Sequence, residues 1–240
     1  MKRITIPALL LSLVCLLATE SATAQQPGAN GAATTQTGQW NTNFPQPLLL
    51  LTFDGAETAV QNHGAKLVAG KVGKGIQTDG NTYADVPWRL PTGASPRTLA
   101  VWLKAANTKG GTALVYGPNG KHMPFGIMNA GGKWRFYDNG GGLGTERAVD
   151  TDWHHHCIVY DGNELTYYID GESVSATAKT LTTTPNKAPL VLGMGPDHGK
   201  WGDSWPGIID EVVIYAQAIH PNQVKGLLRL AELNRHPPVK

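Results

Sequence analysis

Residues 153–171 constrain the fold of this chain more than any other stretch. Trp153-His154-His155-His156-Cys157-Ile158-Val159-Tyr160 and Leu165-Thr166-Tyr167-Tyr168-Ile169 are dense in β-branched and aromatic residues, which suit a pleated surface. Asp161-Gly162-Asn163 lies between them and supplies a turn with positive φ, so the stretch reads as a β-hairpin. Asp170-Gly171 opens the next turn. Hairpins belong to antiparallel sheets, and Gly207–Tyr215 reads as a further strand of the same structure.

Candidate strands continue on both sides. The globular part begins at Leu48–Phe53, followed by Lys66–Val68, Gly75–Thr78, Ala84–Val86, Arg97–Lys104 and Ala113–Tyr116. Phe125–Asn129, Trp134–Tyr137 and Leu190–Gly193 complete the set. Asp79-Gly80, Pro118-Asn119-Gly120 and Gly140-Gly141-Gly142 punctuate them. With 29 glycines and 16 prolines in 240 residues, that rhythm predicts an all-β sandwich. One helix is expected after His220-Pro221, where Val224, Leu227, Leu228 and Ala231 recur at helical spacing.

Residues 1–24 have the layout of an export signal: Lys2-Arg3, an apolar run from Ala8 to Ala18, then Ala22-Thr23-Ala24. The run of 11 residues is short of the ~20 that cross a bilayer, so no membrane insertion is expected. Residues 25–46 are polar and aperiodic and read as a flexible leader, and residues 47–235 as the folded domain. The expected destination is secreted, periplasmic or cell-surface. Loss of Lys2, Arg3 and Glu20 takes the formal charge from +2 to +1, which offers nucleic acid no attraction. Cys15 leaves with the signal; Cys157 is then alone, mid-strand, and reads as a small buried hydrophobe.

Lys71–Gly80, the Trp153–Gly171 hairpin and Gly207–Leu228 resemble motifs of the laminin-G-like, concanavalin A-like domains of secreted bacterial proteins. The Asn62-His63-Gly64 turn after Phe53-Asp54-Gly55 matches as well. The resemblance covers about residues 48–230 and implies a two-sheet antiparallel jelly-roll sandwich with one short C-terminal helix. The chain departs from the family pattern at Thr78, where an aromatic is usual, at His156, where an aliphatic is common, and at His220, in place of a serine cap. The resemblance also implies a structural Ca²⁺ near the first and last strands, with Asp54 and Asp210 in matching positions. Ca²⁺ takes six to eight oxygens, so two acids would need turn carbonyls beside them.

The family fold also carries glycosidases and lyases. A glycosidase needs two carboxylates flanking the sugar, and no Glu-x-Asp-x-(x)-Glu strand occurs here. Asp210 and Glu211 are adjacent and on a regular strand would face opposite ways. Gln61-Asn62-His63 has the spelling of a lyase strand but falls in the family's turn. His154 and His156 would share one side of their strand and His155 the other, too few for a zinc site. A glycoside hydrolase or polysaccharide lyase is therefore the less favoured reading.

What remains is binding. Sugars stack on aromatic faces, and Asp, Asn and amides take their hydroxyls. The Gly195–Gly207 loop supplies Asp197, Trp201, Asp203 and Trp205, and Tyr137 lies in a second candidate patch. Trp205 has a competing reading as a plug of the core rim, and Trp134 as core. The expected function is a secreted, non-catalytic module that binds a glycan, with a cell-surface protein as the alternative partner.

Overall fold

The computed structural model describes residues 43–55, 60–182, 189–197 and 203–238. The expected export signal, the leader up to residue 42, and Trp201 lie outside the described residues. Two antiparallel sheets face each other. The larger is built from β1 (Leu49–Leu51), β3 (Lys66–Ala69), β4 (Lys74–Asp79), β6 (Arg97–Ala105), β11 (Trp153–Tyr160), β12 (Glu164–Ile169), β13 (Glu172–Ala178) and β15 (Pro206–Tyr215). The smaller is built from β2 (Gln61–His63), β5 (Tyr83–Val86), β7 (Gly111–Tyr116), β8 (Phe125–Ala130), β9 (Lys133–Tyr137), β10 (Leu143–Ala148) and β14 (Leu190–Leu192). Their orders are β13-β12-β11-β6-β15-β4-β3, with β1 also on β15, and β10-β9-β8-β7-β14-β5-β2. The jelly-roll expectation holds.

The core is the interleaved inner faces. Leu99, Val101 and Leu103 of β6 meet Ile127, Trp134 and Phe136 of the opposite sheet in one buried cluster, as the alternation dictates. His156, the departure from an aliphatic, is accommodated there: its Nδ1 lies 2.9 Å from the Tyr167 hydroxyl and its ring packs on Trp134 at 4.4 Å. Thr78 is buried and donates its hydroxyl to the Trp205 carbonyl at 2.7 Å.

The outer face of the larger sheet is covered by α1 (Pro221–Glu232). Val224 and Leu227 bury against Ala100, Cys157 and Val213, so Cys157 is the buried hydrophobe its sequence position implied. Burial pushes its thiol far up, away from thiolate chemistry. His220 does the work of a serine cap: its Nδ1 accepts the Asn222 N–H at 3.2 Å, and Gln223 Oε1 accepts the His220 N–H at 2.9 Å. The reciprocal pair satisfies two orphan donors of the first turn.

Three strands are absent from the sequence expectation. β10 and β13 are short in apolar residues, with one buried position in β10 and none in β13, as edge strands permit. β2 replaces the expected Asn62-His63-Gly64 turn: Gln61–His63 pair in register with Asp85–Tyr83.

Candidate functional site

Among the described residues no helix covers the outer face of the smaller sheet, and side chains are available there. Its outward row can be followed through the strand register: Gln61 opposite Asp85, Asp85 opposite Val191, Val191 opposite Val115, Val115 opposite Gly126, and Gly126 opposite Tyr137. Val115 and Val191 are covered by Met194, and Tyr83 and Tyr137 pack on this cluster from either flank. The segment from Gly193 to Asp197 thus forms a ridge along the face. At its root Gly193 N–H donates to Ala113 O at 2.7 Å. At its far end Asp197 accepts from Asn119 Nδ2 at 2.5 Å.

Tyr137 sits on one flank of that ridge because β9 alternates: Trp134 and Phe136 enter the core, while Arg135 and Tyr137 point outward. Asn139 Nδ2 donates to Asn119 Oδ1 at 2.6 Å, so Asn139, Asn119 and Asp197 form a connected polar rim. Burial raises the Tyr137 pKa, and the charges of Asp203, Asp197 and Asp138 add to the rise. Three of the sequence-derived candidates, Tyr137, Asp197 and Asp203, therefore come together. Burial likewise raises the Asp203 carboxyl, with the Asp197 charge contributing. A depression beside the ring is lined by Met128, Ala130, Arg135, Asn139 and Gly141.

The turn that carries Asn139 is held from beneath by Asp138, which is fully buried. Its carboxylate meets His122 Nδ1 at 2.9 Å, the Lys179 ammonium, and the N–H groups of Gly140 and Gly142 at 3.0 and 2.7 Å. Burial works to raise its pKa, but these partners outweigh it and hold the group below the ordinary carboxylate range. A charged anchor bonded on all sides fixes the rim above it.

Trp205 is corrected as a ligand-binding residue. It is fully buried, 6.3 Å from the Trp134 ring and part of the core between the sheets. It precedes β15 directly, and its backbone N–H donates to Gly193 O at 2.8 Å. Its ring has no face left for a sugar.

The proposed calcium residues lie at the other sheet. β1 and β4 share one edge of β15, β4 pairing with residues 206–209 and β1 with 212–214. A bulge falls between Asp210 and Val213, with Glu211 at φ 50°. The bulge breaks the period-2 alternation, so Asp210 and Glu211 do not face opposite ways; both interact with Asp54. Asp210 Oδ2 accepts the Lys71 and Val72 N–H groups at 2.8 and 2.9 Å, and Oδ1 the Glu211 N–H at 2.8 Å. His236 spans the other two acids, 3.1 Å from Asp54 and 2.6 Å from Glu211. Burial pushes Asp210 up to about 6 and Glu211 up to about 7.

Calcium fits this pole in charge, since Glu211 Oε2 is buried without a hydrogen-bond partner. As they stand, no three His, Cys, Asp or Glu side chains among the described residues gather as metal ligands. Asp210 is committed to backbone donors, and the position between Asp54 and Glu211 is held by His236. Glu211 was the residue missed in the sequence, because its placement depends on the bulge.

A search of curated protein sequences finds no match. Among solved structures, domain 4 of AbnA, a GH43 extracellular arabinanase from Geobacillus stearothermophilus solved with arabinotriose, superposes with a TM-score of 0.65 at 18% identity. That likeness covers 76% of this chain and 98% of that one. The binding domain of Paraclostridial Mosquitocidal Protein 1 gives a TM-score of 0.56 at 17% identity, over 70% of this chain and 46% of its own. Trypanosoma rangeli sialidase in complex with sialic acid gives 0.60 at 13%, over 78% of this chain and 33% of its own. At these identities the likeness is one of fold. The family model of the concanavalin A-like lectin/glucanases superfamily matches residues 78–225, and with the sandwich described above the chain belongs to that superfamily.

Proposed function

We propose that this protein is a secreted, non-catalytic carbohydrate-binding module whose binding surface is the outer face of the smaller sheet around Tyr137. The observation that carries the reading is the outward Tyr137 ring beside the hydrogen-bonded Asn139–Asn119–Asp197 rim. An aromatic face takes the apolar side of a sugar ring, and fixed amides and carboxylates take its hydroxyls. The arabinanase domain solved with arabinotriose supports the ligand class. The exposed large hydrophobics among the described residues, Leu67, Trp88 and Leu233, lie apart in sequence, on β3, in the loop after β5 and just past α1, which favours sugar over a flat protein interface.

The test is a glycan microarray with the purified protein, followed by titration of each hit against Tyr137→Ala. Loss of the stacked ring is expected to weaken binding about tenfold or more, equivalent to ~1.4 kcal/mol. A blank array from folded protein transfers the function to binding a cell-surface protein. Hits that survive Tyr137→Ala unchanged move the site elsewhere.

Calcium enters as a second part of the proposal. Asp54 and Glu211 would hold the ion once His236 is withdrawn, with Asp210 fixing the Lys71–Val72 turn beside them. Bound calcium would supply rigidity to the junction of β1, β4 and β15. Saturating calcium against a chelator should then raise Tm by roughly 5 °C, with a larger rise in His236→Ala and none in Asp54→Asn. An unchanged Tm in both wild type and His236→Ala would falsify calcium binding here.

A further inference from the structure

Across the ridge from Tyr137 the same face carries a second aromatic platform. His63 of β2 stacks on Tyr83 of β5 with centroids 4.3 Å apart and planes at 14°. His63 Nε2 lies 3.3 Å from an Asp85 carboxylate oxygen, and the His63 side chain is 40% exposed while that of Asp85 is 11% exposed. The imidazole is thus clamped twice, through one ring face and through one nitrogen, and it remains 40% exposed. Gln61 shares that side of β2 with His63 and stands opposite Asp85 in register.

We propose that His63, Tyr83, Asp85 and Gln61 form a second sugar subsite, separate from the Tyr137 site and selective for a neutral sugar ring; the inference rests on the carbohydrate reading above. A ring fixed by stacking and by a carboxylate loses little freedom when a ligand lands on it, which is where preorganised sites gain affinity. His63 Nδ1 and the Gln61 amide lie at the edge of the platform for hydroxyl contacts. The Asp85 charge disfavours a uronate or sialate carboxylate in the same place. Tyr83 and Tyr137 are on strands four steps apart in the sheet, about 19 Å at the spacing of paired strands. A polymer that engages both platforms binds the second in intramolecular fashion.

The experiment is a backbone and side-chain NMR titration with arabinotriose, cellohexaose and mannohexaose. At least one probe should shift two separate sets of signals: Gly141 and Met128 beside Tyr137, and Gly64 and the Gln61 amide beside His63. Tyr137→Ala should remove the first set alone, and His63→Ala the second set alone. His63 lies on an edge strand and is substantially exposed, so this variant should fold; Asp85→Asn provides a second one that retains the stack. Shifts confined to the Tyr137 set overturn the second subsite and leave the carbohydrate reading standing. Shifts confined to the His63 set support the second subsite and overturn the Tyr137 site. No shifts with any probe overturn both.

Discussion

Trp205→Ala should destabilise the protein by about 3–5 kcal/mol, the range for removing a buried tryptophan from a close-packed core. The ring is fully buried among the inner-face residues of both sheets, and Gly207 is kept without a side chain by it: a Cβ there would lie 2.2 Å from the Trp205 ring. The sheets cannot close over the space because β15 is held in register on both sides, by β6 and by β4. Urea unfolding measures the loss as a lower midpoint at constant slope. Sugar binding by the fraction that stays folded should be preserved, whereas Tyr137→Ala should show the reverse pattern. A stability change below about 1 kcal/mol, the scale of surface substitutions, would mean that Trp205 is not seated in the core.

Buried His155 should cost the protein about 2–3 kcal/mol of stability as the pH drops from 7 to 4.5, a loss that His155→Leu removes. His155 faces α1, beside Trp102 at 5.3 Å, and burial lowers its pKa from the ordinary 6.5 to about 4. The unfolded chain takes up a proton near pH 6.5 that the folded chain refuses until about 4, so acid favours unfolding over that window. His156 acts in the same direction, its pKa lowered by burial and then by the neighbouring His154 charge. His154 opposes them. Its ring bonds Asp170 at 2.7 Å and Asp150 at 2.9 Å, and its pKa is raised, chiefly by Asp170. That contribution is complete below pH 6.5 and is lost as pH rises through the folded value. Asp210 and Glu211, whose carboxyls burial raises to about 6 and about 7, oppose His155 and His156 as well, so the histidine contribution is read as the difference between wild type and His155→Leu. Equal changes in stability over that window in wild type and His155→Leu would show that His155 does not refuse the proton.

The three adjacent histidines show how far local pattern reaches. Strand alternation alone places His154 and His156 on one side and His155 on the other, and the structure keeps that division, with His156 against Trp134 and His155 against Trp102. Whether each is neutral or charged is a different matter, because Asp150 and Asp170 approach His154 from turns that only the folded sheet brings together. Cys157, two strands of alternating core residues and the capped helix were legible for the same local reason.

The acid pole illustrates the opposite case. Asp210 and Glu211 come near Asp54 because β15 bulges against β6 between Asp210 and Val213, where β4 ends and β1 begins along its other edge. No window of sequence contains that junction. Gln61–His63 likewise reads as a turn until Tyr83 and Asp85 arrive beside it as strand partners.

By itself the sequence determined the sandwich, its hairpin, its helix and the outward direction of Tyr137, since these follow from side-chain period and turn chemistry within a few residues. The tertiary structure alone decided that Trp205 is core, that Glu211 joins Asp54, that Asn119 links Asn139 to Asp197, and that His63 is clamped on Tyr83. Each of these depends on which distant strand ends and loops meet, and such meetings are set by the closure of two sheets on one another rather than by local periodicity.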